Sequence, residues 1–231
     1  MQNIEKKQII SIIIVVGFII AGVILLRGTK APTTENKPIV NNNDYTSLVA
    51  LQGGMISLDD HITGNPNAEL VIIEYSDLEC PFCRIFHATM HQVIETNQNV
   101  AWVYRHYPIP QLHQKAFYEA EATECAWEQG GDEAFWKYAD RIFAITPSND
   151  GLDTSELPRI AEYVGLNVQS FNACLASGKF KNKIQADIDR GVIDGVNGTP
   201  SSFIIKNGQV VGTIPGALPY QSVIQTLSQI R

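Results

Sequence analysis

Short blocks of apolar residues alternate with polar ones and predict a strand-helix-strand unit between residues 70 and 107. The run LVIIEY, Leu70 to Tyr75, ends at Ser-Asp, which is typical of a buried strand entering a turn. Pro81 favours a helix start, and that helix is predicted to continue to about Glu95. The run VAWVYRHY, at 100–107, predicts a second strand. This order is that of a parallel strand pair joined by a crossover helix.

A helical block and then a β-hairpin are predicted for the rest of the chain. Stretches rich in helix-forming residues occupy about 110–192; the first helix is predicted to stop at Gly130, and the later ones are interrupted by Pro147, Gly151 and Gly165. Two β-rich runs flank Asn207-Gly208, a strong short-range hairpin signal, and a closing helix is predicted for 218–230. The pattern indicates an α/β fold with an inserted helical region.

The first residues differ in kind from the rest. Residues 9–26, IISIIIVVGFIIAGVILL, carry Ser11 as the only hydrogen-bonding side chain and would span roughly 27 Å as a helix, close to the bilayer core. This run predicts a single transmembrane signal anchor. A cleavable signal peptide is the alternative, but Leu26 and Arg27 stand where that alternative needs small residues.

The anchor divides the chain into four predicted parts. Residues 1–8 are expected in the cytoplasm, and 9–26 in the membrane. Residues 27–52, rich in Asn, Thr and Pro, are predicted to be a flexible linker. Residues 53–231 are long enough for one folded domain.

Charge excludes one class of partner. The 17 basic and 24 acidic residues of the whole chain fall to 13 and 23 when residues 1–30 are left out, a balance of −10 for the remainder. Nucleic-acid binding needs a basic patch, so no nucleic-acid partner is expected.

The motif Cys80-Pro-Phe-Cys83 is predicted to start the helix that follows the first strand. The unpaired N–H groups and positive dipole of a helix N-terminus stabilise a thiolate, which is the reactive form of cysteine. Cys83 lies one turn later on the same face, within reach of a disulfide. We therefore expect Cys80 to be the exposed nucleophile and Cys83 the more buried resolving thiol.

A zinc site is the alternative interpretation, because His87 and His91 complete the pattern C-x2-C-x3-H-x3-H. On one helix, however, Cys83 and His91 would lie about 12 Å apart along the axis. Four ligands of one zinc ion cannot be so far apart, and the chain has no second C-x-x-C. We expect no metal here and interpret both histidines as ordinary helix residues at or near the surface.

Glu74 is an acid within an apolar strand, six residues before Cys80. A buried carboxyl group has a raised pKa and could accept the proton of Cys83. The alternative is an edge strand that turns Glu74 to solvent.

These residues resemble those of the DsbA-like thiol-disulfide oxidoreductases of the thioredoxin superfamily. The resemblance covers about residues 53–231 and depends on "EYSDLECPFC", the helical insertion and "GVNGTPSSFIIKNGQVVG". It implies a thioredoxin-like fold with Cys80 and Cys83 as the active pair and Glu74 as the buried acid. It also implies that Thr199-Pro200 forms a cis-proline loop beside the disulfide, where an extended substrate chain would bind.

The resemblance has further implications for four residues. Some members carry a structural disulfide in the helical region, which here would join Cys125 to Cys174 and contribute roughly 4 kcal/mol; two unpaired core thiols are the alternative. Pro81 and Phe82, between the active cysteines, are expected to tune the redox potential. The strongest oxidants of the family carry histidine at the position of Phe82, so a less oxidising pair is expected.

The resulting hypothesis is a monomeric, membrane-anchored enzyme that faces outward and introduces disulfides into unfolded or partly folded exported proteins. The resemblance implies re-oxidation by a quinone-linked membrane thiol oxidase, and no cofactor. A reductase or isomerase supplied by a transmembrane reductant is one alternative. A non-catalytic peptide-binding or chaperone module is another, from a different functional class.

Overall fold

The computed structural model describes residues 45–230 of the 231-residue chain. The predictions for residues 1–8, 9–26 and 27–44 lie outside the described residues. Within 45–230, no helix combines the length and apolar character that membrane crossing requires. The elements are α1 (Thr46–Leu51), β1 (His61–Gly64), β2 (Leu70–Ser76), α2 (Pro81–Thr96), β3 (Val100–His106), α3 (Ala116–Ile145), α4 (Glu156–Tyr163), α5 (Val168–Ser177), α6 (Lys181–Ile193), β4 (Ser201–Lys206), β5 (Gln209–Pro215) and α7 (Tyr220–Ser228).

The five strands form one mixed sheet in the order β1-β3-β2-β4-β5. β2 and β3 are parallel, with Leu70 opposite Val100, which confirms the predicted crossover unit. β4 pairs antiparallel with β2, and β5 with β4. β2 is therefore the central strand, and all seven of its residues are buried. This explains why its sequence is an almost continuous apolar run.

Side-chain alternation along β2 divides the interior into two clusters. Leu70 and Ile72 pack on the face covered by α2 and the helical region. Val71, Ile73 and Tyr75 pack on the other face, with residues of the N-terminal segment. Because successive strand residues point to opposite faces, Glu74 lies on the same face as Ile72 and α2.

The predicted hairpin joins β4 to β5. Its two turn residues, Asn207 and Gly208, have φ angles of 50° and 73°. Both central residues of a type I′ turn need positive φ, and Asn and Gly tolerate this best. The Asn-Gly signal therefore located the turn correctly.

The linker prediction for 27–52 is wrong at its C-terminal end. Residues 46–51 form α1, and Leu48 is fully buried in the second core cluster. Gln52 accepts a hydrogen bond from the backbone N–H of Gly208, at 3.2 Å. Arg105 donates to the Met55 carbonyl, which holds the next part of this segment. These tertiary contacts stabilise a helix that the sequence pattern alone does not indicate. The folded domain therefore begins before residue 53.

Two further elements differ from the predictions. β1 was not predicted, because four residues, HITG, are too few for a clear alternating pattern. The helices predicted separately on either side of residue 130 form the single element α3, interrupted by non-helical dihedrals at Gly130 and Gly131. Gly131 has φ 63°, a conformation that glycine adopts without steric cost, so the axis changes direction there.

The helical region is cross-linked internally. Cys125 of α3 and Cys174 of α5 form a disulfide that joins positions 49 residues apart. The pairing is the one that the family resemblance implies, and the alternative of two unpaired thiols does not apply.

A buried ionic network joins β1 to α3. Nε2 of His61 is 2.8 Å from Oε1 of Glu124, and its Nδ1 is 3.3 Å from Oδ1 of Asp132. His106 also contacts Glu124 Oε1, at 3.2 Å. Burial opposes the positive charge of His61, but Glu124 and Asp132 raise its pKa to about 9. His61 is therefore an imidazolium between two carboxylates at neutral pH.

We expect His61→Gln to lower the free energy of unfolding by about 3 kcal/mol or more, because it leaves buried carboxylates without their cation. The folded pKa of His61 lies above the unfolded value of about 6.5. Its contribution is thus complete below pH 6.5 and is lost as the pH rises through about 9. Urea unfolding of the wild type and of His61→Gln across this pH range measures the contribution of His61 to stability.

Lys137→Gln is the matched control, because it breaks an exposed ion pair with Glu133 and should cost less than about 1 kcal/mol. Parallel stability curves for the wild type and His61→Gln between pH 6 and 10 would contradict the charged state of His61.

Candidate functional site

The candidate site lies where the central strand ends and the first long helix begins. Cys80 occupies the position before α2, with extended dihedrals of φ −76° and ψ 122°, and Pro81 is the first helical residue. Proline fits this position because its missing N–H would be unpaired there in any case. The backbone N–H groups of the first turn, including those of Phe82 and Cys83, are directed toward the Cys80 sulfur and lower its pKa.

The two thiols of this turn have opposite ionisation behaviour. Donation from the Cys83 thiol is the largest cause that lowers the Cys80 pKa, to about 6. Burial, the adjacent Cys80 and the charge of Glu74 raise the Cys83 pKa well above its ordinary value of 9. At neutral pH Cys80 is therefore a thiolate and Cys83 a thiol.

Cys80 and Cys83 differ less in solvent exposure than the sequence predicted. Cys83 is fully buried, but Cys80 is itself only 5% exposed. The prediction that Cys80 is an exposed nucleophile is thus wrong, because the residue is buried. Neighbouring chain segments cover Cys80, and a reaction partner has access to only a small part of it.

Glu74 lies on β2 and is 0% exposed. The alternative of a solvent-facing edge residue is wrong, since β2 is paired on both sides. Neither carboxyl oxygen has a hydrogen-bond partner among the described residues. Burial raises the pKa of Glu74 to about 8, although the polar groups of Ser76 and Trp102 lower it somewhat. Glu74 is consequently protonated for the most part at pH 7.

The loop before β4 brings a third component to the thiols. The Thr199–Pro200 peptide bond is cis. β4 starts next to the end of β2, with Ser201 opposite Tyr75, so the loop lies beside the turn that carries Cys80. The sulfur of Cys80 lies 3.4 Å from the carbonyl oxygen of Thr199. Sheet register thus brings together residues that are 119 positions apart.

Asp77 is part of the site but was not predicted as such. Its backbone N–H donates to the Cys83 sulfur, at 3.5 Å. Its carboxylate accepts hydrogen bonds from the backbone N–H of Glu79 and Ile109 and from Nδ1 of His113. Burial opposes the charge of His113, yet Asp77 raises its pKa above the ordinary value. Asp77 therefore fixes the turn between β2 and α2 and ties it to the loop after β3.

A second buried acid, Glu79, holds the turn from the other side. Its carboxylate accepts from the Thr146 hydroxyl and from the backbone N–H of Gly151 and Leu152. Burial and the proximity of Glu79 raise the pKa of Glu119 to about 9, so Glu119 stays neutral. The available sequence signal was a group of three acids, one in the strand and two in the SDLE segment that follows it. Their roles depend on contacts with distant loops.

The other predicted site residues are placed as follows. Pro81 starts α2, and Phe82 next to it is 62% exposed, with Ile85 exposed three residues later. These two apolar side chains are three residues apart on α2, so they lie on one face and form a small apolar surface beside Cys80. The prediction for His87 is wrong, since it is buried and contacts Asp140 rather than standing at the surface.

Solved structures of similar fold include DsbA and BdbD proteins. Pseudomonas aeruginosa DsbA2 is 28% identical, with a TM-score of 0.63 over 74% of this chain and 94% of its own. Two others match at 17% and 16% identity, which shows the fold alone. BdbD from Bacillus subtilis has a TM-score of 0.64 over 74% of this chain and 92% of its own. The thiol-disulfide exchange protein α-DsbA2 from Wolbachia pipientis has 0.66 over 82% and 97%.

Curated relatives share sequence over a limited part of their length. The Na(+)/H(+) antiporter NhaA 3 of Salinispora tropica is 34% identical over 145 residues, 63% of this chain and 21% of that protein. NhaA 1 of Salinispora arenicola is 32% identical over 165 residues, 68% of this chain and 24% of that protein. The chain thus spans less than a quarter of the length of these relatives.

We expect alkylation of reduced protein by iodoacetamide to modify Cys80 alone, with a rate midpoint near pH 6. Cys83→Ala removes the side-chain donor that makes the largest contribution, so the midpoint should move toward the value of about 8.5 found for free cysteine. Mass spectrometry of quenched samples measures both. A midpoint near 8.5 in the wild type, or faster modification of Cys83, would contradict the assigned thiolate.

The sequence profile of the thioredoxin family matches residues 57–224, which covers nearly the whole described fold. The match includes the strand with Glu74, the Cys80-Pro-Phe-Cys83 turn and the cis Thr199–Pro200 loop. Together with the mixed five-stranded sheet and its flanking helices, this shows that the chain belongs to the thioredoxin family.

Proposed function

We propose that this protein is a thiol-disulfide oxidoreductase that introduces disulfides into exported proteins. One observation carries the proposal: two cysteines on one helical turn have widely separated pKa values, and a buried, protonated carboxyl group interacts with them. A structural pair of cysteines has no need of such a difference. Reactive pairs do, because one sulfur must leave easily while the other retains its proton.

The proposed cycle starts from the Cys80–Cys83 disulfide. A substrate thiolate attacks the Cys80 sulfur, the bond to Cys83 breaks, and a mixed disulfide forms with Cys80. A second substrate thiolate then attacks the substrate sulfur of that bond and releases Cys80. Two electrons pass from the substrate thiols to the cysteine pair, and the substrate gains one disulfide.

The two sulfur leaving groups, those of Cys80 and Cys83, have their negative charge neutralised or stabilised in different ways. Cys80 leaves as a stable thiolate, because its pKa is about 6. Cys83 leaves inside the protein, where burial makes its thiolate unfavourable. We assign Glu74 as the group that gives Cys83 its proton, since its pKa of about 8 keeps it protonated at pH 7. In the reverse step, the Glu74 carboxylate accepts the proton as Cys83 attacks.

Substrate binding is assigned to two surfaces beside Cys80. The Thr199–Pro200 loop lies at the Cys80 sulfur and would align an extended chain through backbone groups. The exposed Phe82 and Ile85 offer apolar contact, which unfolded chains can match with many sequences. Such recognition suits partly folded substrates better than one specific folded partner.

The cellular arrangement extends this proposal. A transmembrane anchor at 9–26 would hold the enzyme at the cell membrane as a single-pass protein, with its catalytic domain outside and residues 1–8 in the cytoplasm. A quinone-linked membrane thiol oxidase would re-oxidise the cysteines. The sequence of 9–26 and the even number of cysteines support this arrangement.

The reduction potential of the Cys80–Cys83 pair tests the direction of electron flow. We expect a value between about −120 and −180 mV, measured by equilibration with glutathione buffers. Cys83→Ser should accumulate mixed disulfides with reduced, unfolded substrate, and Cys80→Ser should accumulate none. A value near −270 mV would replace the oxidase by a reductase, and unchanged function of Cys80→Ser in cells would favour a non-catalytic binding module.

Glu74→Gln tests the proton transfer. We expect the release of a mixed disulfide by Cys83 to slow by about a hundredfold at pH 7, because an amide of the same shape cannot accept a proton. Stopped-flow fluorescence on a preformed mixed disulfide measures the rate. Glu69→Gln changes an exposed carboxyl group just before the same strand and should leave the rate unchanged. Equal rates in Glu74→Gln and wild type would exclude Glu74 as the acceptor.

A further inference from the structure

Two histidines and an aspartate outside the thiol site converge on one point. His87 and His91 lie one turn apart on α2, and Asp140 lies on α3. Nε2 of each histidine is 2.7 Å from Oδ1 of Asp140, and the two Nε2 atoms are 3.2 Å apart. Three side chains from two helices thus present their ligand atoms to a common centre.

Neither protonation state of the two Nε2 atoms gives good hydrogen bonds to all three side chains. If both Nε2 atoms carried hydrogen, two donors would compete for one carboxylate oxygen while facing each other at 3.2 Å. If one lacked hydrogen, its lone pair would face the carboxylate oxygen at 2.7 Å. A single cation at the common centre would interact favourably with all three atoms.

We propose that His87, His91 and Asp140 form a binding site for a divalent transition metal of the borderline class, represented by Zn²⁺. Two imidazoles and one carboxylate are the protein ligands of many open zinc and iron sites. Ca²⁺ and Mg²⁺ require mostly oxygen ligands, so two nitrogens disfavour them. Ligand atoms around tetrahedral zinc are roughly 3.4 Å apart, so Asp140 needs to withdraw by less than about 1 Å.

One ligand is fixed, and two can adjust. The His87 ring packs against Phe143, with centroids 4.4 Å apart, and against Trp102, at 5.1 Å. The side chains of His91 and Asp140 are 32% and 44% exposed and can move to complete a coordination shell. A cavity of about 350 Å³ adjoins the cluster, so water or another small ligand has access to the remaining positions.

Two features limit the expected affinity. Nδ1 of His87 is buried with no partner among the described residues, whereas zinc-bound histidines usually donate that N–H to an acceptor. Arg84 lines the same cavity and adds a positive charge. We therefore expect micromolar rather than nanomolar affinity for Zn²⁺, and an anion or hydroxide as a further ligand.

The second histidine-carboxylate cluster of residues 45–230 is a different case. His61, His106 and Glu124 also place their ligand atoms close together, and all three are buried. His61 is protonated at neutral pH and already supplies the positive charge that Glu124 and Asp132 need. That cluster is a closed ionic network, and no metal is proposed for it.

The test uses the full chain, in detergent because of its apolar segment at 9–26 and without a histidine tag. The Cys80–Cys83 disulfide is formed first and verified by thiol counting, so that no thiolate competes for Zn²⁺. Isothermal titration with Zn²⁺ gives stoichiometry and affinity, and Co²⁺ gives visible absorption bands that report its ligands. His91→Gln and Asp140→Asn change partly exposed residues, so both variants should fold. Glu133→Gln, which changes another exposed carboxyl group of α3, is the matched control.

We expect one Zn²⁺ per wild-type chain and a rise in melting temperature when Zn²⁺ is added. His91→Gln and Asp140→Asn should each weaken binding by at least about tenfold and abolish that rise, whereas Glu133→Gln should match the wild type. The proposal is overturned if the wild type binds no Zn²⁺ at micromolar concentrations, or if the two ligand variants bind it as tightly as the wild type.

Discussion

The pairing of β2 on both of its edges is the constraint on which the candidate site depends. Parallel pairing with β3 and antiparallel pairing with β4 place β2 in the middle of the sheet. Glu74 is consequently enclosed, and the chain must leave the sheet through a tight turn that ends at Cys80. The same pairing positions the Thr199–Pro200 loop beside that turn. Backbone hydrogen bonds of the sheet therefore determine the positions of the carboxyl group, the two sulfurs and the loop.

Local patterns in the sequence were sufficient for β2 and β3, which are apolar runs, for α2, which begins at a proline, and for the β4–β5 hairpin, which has an Asn-Gly turn. They were insufficient for α1, whose six residues are helical because Leu48 is buried by distant strands. The burial of Glu74 was correctly inferred from one acid in an apolar run. Asp77 could not be identified in the same way, since its partners Ile109 and His113 are more than thirty residues away.

Buried acids of this protein have opposite protonation states, according to what lies within hydrogen-bond distance. Glu124 has His61 and His106 beside it and remains ionised, with a pKa lowered far below its ordinary value. Glu74 has no imidazole beside it, and desolvation is the largest influence on its pKa, which is raised to about 8. His61 between Glu124 and Asp132 thus forms an ionic network that stabilises the fold below about pH 9. An isolated interior carboxyl group gives a titratable proton, which is the more useful property next to a thiol.

The helices α3 to α6 form a single excursion from the sheet, which leaves after β3 ends at His106 and returns at Pro200, just before β4. The Cys125–Cys174 cross-link lies wholly within this excursion. Because no strand of the sheet lies inside it, its helices can be lengthened, shortened or exchanged without shifting the register of any strand pair. The excursion holds the Cys80 turn through Thr146, Gly151 and Leu152, which donate to Glu79, so its outline can vary wherever those contacts are retained.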